Sequence, residues 1–117
     1  MYPVFELCQY IIEYCNFRLL HIDLLKLLRL LYLINETYTA NRGKPCFRER
    51  IVMADYGPTI QVVYKRFLAY GSANIPLAKY YQLPRFVQSD KALIEFVLGQ
   101  YACCNNAELL EIIEKSS

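Results

Sequence analysis

The sequence has no tryptophan and a single histidine, His21. One imidazole leaves no visible zinc-ligand set of familiar spacing. No Cys-x-x-Cys pair replaces it, because the five cysteines fall at Cys8, Cys15, Cys46, Cys103 and Cys104. The four glycines are scattered at 43, 57, 71 and 99, so no glycine-rich phosphate loop is present. No basic segment precedes an apolar stretch at the N-terminus, which argues against a secretory leader. The longest apolar-rich run, Leu24 to Ile34, is interrupted by Lys26 and Arg29 and falls well short of the ~20 residues of a membrane span. The expectation is a chain with no metal, no cofactor and no membrane segment. Its unpaired thiols suit a reducing, cytoplasmic compartment.

Positioned catalytic groups are equally scarce. No particular Cys or Ser is marked as a partner for His21, and no catalytic residue is assigned; a spatially assembled Cys–His pair would be invisible at this level. Glu108, Glu111 and Glu114 read as a solvated acidic face rather than a metal site.

What is abundant is apolar and aromatic. The 117 residues are 56% hydrophobic and 21% charged, enough for one domain with one core across 1–117. Eleven tyrosines and six phenylalanines stand out. Tyrosine is favoured on surfaces that are touched, although a packed helical surface also accumulates it. The net charge of +2 is unevenly spread: residues 37–86 carry eight Lys or Arg against Glu49 and Asp55, whereas residues 87–117 carry two against five acids. A basic middle can recruit an acidic protein or nucleic acid, or be a solvated face.

The apolar spacing predicts a mainly α fold, a compact bundle of about five helices around a central hydrophobic one, with a short extended segment. Val4, Leu7, Cys8, Ile11, Ile12 and Cys15 recur at helical spacing over about 3–17, with Pro3 in the first turn. Asp23 is placed to cap the central helix, whose polar residues Lys26, Arg29 and Glu36 fall on one narrow side. Residues 41–45 break it, and 47–54 alternate imperfectly, as an extended segment would. Gly57 then suits an N-cap, Pro58 a first helical position and Gly71 a C-terminal stop, giving a helix from Pro58 to Tyr70. Residues 71–88 read as a loop with a short helical turn near Leu77–Tyr81. Ser89 or Asp90 is placed to cap a further helix, and Asn105 with Glu108 resembles a capping box opening the last one.

Three blocks in order resemble the Panacea antitoxin domain family, also described as phage-associated. The family's Leu-Lys-Leu-Gln-Lys-Leu-Leu-Tyr helix motif is matched by Leu25 to Tyr32, its Gly-Lys-Pro-Leu-Phe turn by Gly43-Lys44-Pro45-Cys46-Phe47, and its Ala-Trp-x-Tyr-Gly-Pro-Val block by Met53 to Thr59, running on to Val63-Tyr64. Leu28 replaces the family's Gln, Ala54 replaces its Trp, and its C-terminal Thr-His and Pro-Trp features are not evident. The resemblance implies a non-enzymatic cytoplasmic module that neutralises a cognate protein toxin encoded nearby, usually by direct contact. Some members of the family deliver the toxin to a protease.

On that basis Lys26, Arg29, Tyr56, Lys65 and Arg66 are expected to form or border the partner surface, with Gly57 and Pro58 as the turn scaffold that aims it. The alternative is that Tyr56 and Tyr64 pack in the core and Gly57-Pro58 only shapes the turn. A DNA-binding regulator of a phage or toxin–antitoxin operon is the competing function. Against it, the best-formed basic helix offers only Lys65 and Arg66 outward, with no base-reading residues around them.

Overall fold

Helix α1 covers Val4–Phe17 and follows Pro3, whose φ of −61° needs no adjustment to lead into a helix. Its apolar stripe is buried, Cys8 and Cys15 included. The computed structural model describes residues 1–116. Helix α2, Leu24–Arg42, is capped by the Asp23 carboxylate, which accepts from the Lys26 N–H at 2.9 Å. It ends at Gly43, which takes the left-handed conformation and donates its N–H to the Thr39 carbonyl. Leucine covers most of the circumference of α2, so a helix of this kind is stable only when neighbours surround it. Those neighbours are α1, the hairpin, α3, α4 and α5, all of which pack on it.

Strands β1 (Val52–Ala54) and β2 (Gly57–Thr59) form a two-residue-loop antiparallel hairpin, with Val52 opposite Thr59 and Met53 opposite Pro58. This corrects the sequence expectation for Gly57-Pro58, which are strand residues and not the start of a helix. Pro58 cannot donate to a ladder, and a two-stranded ribbon asks this of it only on an outer edge. Gly57 sits at φ +112°, a conformation closed to side-chain-bearing residues, and this turns the chain back after Asp55-Tyr56. Helix α3 therefore begins at Gln61 and runs to Phe67, followed by a single 3₁₀ turn over Leu68–Tyr70.

The segment after Gly71 has no helical turn at Leu77–Tyr81, contrary to expectation. It is pinned by long-range hydrogen bonds: Ile75 N–H to the Ile22 carbonyl, and Ile22 N–H to Asn74 Oδ1. Helix α4 covers Gln88–Tyr101, with Val87 at its N-cap and no side-chain cap. The expected caps, Ser89 and Asp90, lie inside the helix. Asp90 is only 6% exposed and faces inward, where it accepts from the Tyr2 hydroxyl (2.7 Å), Arg42 Nε (2.9 Å) and the Tyr38 hydroxyl (3.3 Å). Helix α5 spans Asn106–Ser116. It opens on the reciprocal box foreseen from sequence: Glu108 N–H donates to Asn105 Oδ1 and Asn105 N–H to Glu108 Oε1, both at 2.8 Å. The architecture is mainly α, five helices with one small hairpin. Among the described residues no helix is long and apolar enough to cross a membrane.

Candidate protein-binding surface

The hairpin turn carries Tyr56 and the outer side of α3 carries Tyr64. Their rings stack, with centroids 5.9 Å apart and planes inclined by 25°. Both are half-buried and pack partly against the core. The stacked pair forms a wall between two grooves. One, of about 530 Å³, runs beside the hairpin and is bordered also by Arg50, Val52, Thr59 and Val62. The other, of about 400 Å³, lies toward the start of α2 and is bordered also by Leu24, Leu25, Leu68 and Asn106.

The surroundings are apolar with charges of both signs: Glu49 lies beside Arg50 in the wall of the first groove, Asp23 is in the wall of the second, and Asp55 is exposed in the turn. Val52, Met53, Val62, Leu68 and Tyr70 are all exposed large hydrophobics. Isolated exposed apolar residues are ordinary; a group of them around grooves is the signature of a contact surface. Arg50 borders the first groove, and Lys65 and Arg66 are exposed on α3 without lining either groove. On α3, Val63 and Phe67 point into the core. That arrangement turns Lys65 and Arg66 outward, and Arg66 rests its guanidinium 4.5 Å from the Phe5 ring centroid.

Of the residues singled out from sequence, Tyr56 borders both grooves, whereas Lys65 and Arg66 are exposed on α3 and line neither. Lys26 and Arg29 do not lie on an outer side of α2: they are 6% and 5% exposed. Arg29 works from beneath, donating Nη2 to the Tyr56 carbonyl at 2.6 Å and Nη1 to the Asn106 carbonyl at 2.9 Å. Burial draws its guanidinium below the ordinary arginine value, and the charges of Asp23 and Glu114 oppose that shift. Gly57 lies directly above it: a Cβ there would stand 3.1 Å from Leu110 Cδ1 and 3.6 Å from Arg29 Nε. Gly57 and Pro58 directly follow Tyr56 as strand residues, with Gly57 packed closely over the Arg29 side chain.

Sequence reasoning did not mark Val52, Met53, Thr59, Leu68 or Asn106. The apolar pair Val52-Met53 on a strand of three residues was the available signal, since a ribbon that short cannot bury both faces. Thr59 Oγ1 is buried without a hydrogen-bond partner among the described residues, a feature only the packed structure reveals.

The chain is a mainly α module with two grooves on either side of a stacked tyrosine pair. A family model described as antitoxin SocA-like, Panacea domain, matches residues 27–117, and the chain belongs to that family. No curated protein and no solved structure matches the chain.

Proposed function

We propose that the chain neutralises a cognate protein toxin by direct contact, through the surface built by the hairpin and α3. The observation that supports this reading best is the stacked Tyr56–Tyr64 pair standing between two grooves. Aromatic anchors beside desolvated pockets carry a disproportionate share of binding energy in protein complexes. The exposed apolar residues supply buried area on association, Arg50 and Glu49 supply charges at the groove wall, and the exposed Lys65 and Arg66 of α3 add positive charge further out. The toxin side that fits is apolar at its centre, with an acidic group within reach of Lys65. Action by binding rather than turnover, in the cytoplasm where such toxins act, belongs to the same reading.

The test is co-expression with the product of the neighbouring reading frame, scoring growth and co-purification together. The wild-type chain is expected to restore growth and to co-purify. Tyr56→Ala, which removes the anchor, and Lys65→Glu, which inverts a rim charge, are expected each to weaken the complex at least tenfold. Restored growth with no complex would instead favour delivery to a protease or control of transcription. A complex of unchanged affinity in both variants would place the contact elsewhere on the molecule.

A further inference from the structure

The hairpin has two outer edges, and they differ. In an antiparallel pair, facing residues alternate between exchanging both hydrogen bonds and turning both backbone groups away from the other strand. Met53 stands opposite Pro58, which has no N–H to give, between the pairs Val52–Thr59 and Ala54–Gly57. Those two pairs therefore carry the ladder bonds, and Met53 turns its N–H and its carbonyl outward. Neither group takes a hydrogen bond among the described residues, and nor does the backbone of residues 48–51 leading into β1.

The edge along β2 is closed. Gly57 and Pro58 are buried, β2 packs on α2, and proline removes the donor. Free edges are commonly blunted by charge, by proline or by a cover. The three residues of β1, Val52, Met53 and Ala54, carry neither charge nor proline, and Met53 is 55% exposed. The same strand walls a groove. Val52 and Thr59 are a cross-strand pair, so their side chains share one face of the ribbon, and both border the groove of about 530 Å³ beside Tyr56 and Tyr64. A strand added along β1 sets every second side chain on that face, next to Val52.

We propose that β1 is the docking edge for an extended segment of the toxin, which adds a third strand to the hairpin. Its backbone bonds to the Met53 N–H and carbonyl, and an apolar side chain lies on the Val52 face beside the tyrosine wall. This rests on the proposed function and says how that surface is used. A second copy of the chain is the poorer occupant. Pairing two β1 strands symmetrically about Val52 sets Glu49 of each against Asp55 of the other, and like charges directly opposed are destabilising.

The test uses the complex with the product of the neighbouring reading frame. Met53→Pro removes the outward N–H and no ladder bond, and is expected to weaken the complex at least about tenfold. Met53→Leu keeps the donor and the bulk, and is expected to bind within about threefold of wild type. Hydrogen exchange on the unmodified chain requires no variant to fold. There the Met53 amide is expected to exchange freely in the chain alone and to slow at least about tenfold in the complex. Unchanged affinity in Met53→Pro, equal weakening in Met53→Leu, or a Met53 amide that still exchanges freely in the complex would overturn the inference and leave the proposed function standing. A dimer of the chain alone that Met53→Pro dissociates would overturn it in favour of a second copy. No complex with the wild-type chain would sink the proposed function and this inference with it.

Discussion

Arg29 and Tyr56 are joined by a single hydrogen bond, from Nη2 to the backbone carbonyl, that holds the hairpin turn to the central helix. The same guanidinium holds the start of α5 through Asn106. One buried cation thus fixes the height of the tyrosine wall relative to both grooves. Arg29→Met is expected to leave two carbonyls unpaired and to cost about 2 kcal/mol in urea unfolding. Arg29→Lys is expected to recover little of this, because an ammonium cannot span both carbonyls as the planar fork does. Full stability in Arg29→Met would show that the two carbonyls find other donors.

Gly57 is the second support of the turn. Gly57→Ala is expected to destabilise by roughly 1–3 kcal/mol, from a left-handed backbone closed to alanine. The contact with Leu110 Cδ1 at 3.1 Å adds to this, so a change below 0.5 kcal/mol on the order-of-magnitude scale of surface substitutions would contradict the geometry.

Asp90 ties the chain's N-terminal residues to the end of α2. Burial alone would raise its carboxyl, but hydrogen bonds from Tyr2, Arg42 and Tyr38, with the Arg42 charge, hold it below the ordinary value. A depressed carboxyl contributes stability above its unfolded pKa of about 4, and that contribution is lost as pH falls through the lower, folded value. Asp90→Asn is expected to cost about 1.5–3 kcal/mol at pH 7. The gap between wild type and variant is expected to close below about pH 4, measured as urea midpoints across pH. A gap that stays constant with pH would mean that the charge itself contributes nothing.

The thiols divide by position. Burial pushes Cys8 and Cys15 up and takes Cys46 up to about 12. Cys104 is raised by burial and by its neighbour Cys103, which is itself exposed. A disulfide-exchange reagent on the native chain is expected to label Cys103 first and Cys104 more slowly. Cys8, Cys15 and Cys46 are expected to react only on unfolding. Rapid native labelling of Cys15 would indicate that α1 opens from the core.

The sequence by itself determined the helices and several of their ends. Asp23 on Lys26, Gly43 on Thr39 and Asn105 with Glu108 are bonds between residues three or four apart, so the chemistry that makes them is written within one turn of chain. The order and spacing of the blocks running through Leu25–Tyr32 and Tyr56-Gly57-Pro58 were legible as a family resemblance. Only the tertiary structure decided the rest. Gly57-Pro58 fits a helix start or a strand equally well by local preference, and pairing with Met53 and Ala54 across the turn selects the strand. A helix as leucine-rich as α2 has no outer side written into it, so the burial of Lys26 and Arg29 depended on what came to rest against them. For Arg29 that is Tyr56, 27 residues away, and Asn106, 77 away. Asp90 was drawn inward by Tyr2, 88 residues off, because a buried hydroxyl and a guanidinium satisfy a carboxylate better than a first-turn cap position does. Periodicity cannot encode contacts at such separations; they appear only when the core closes.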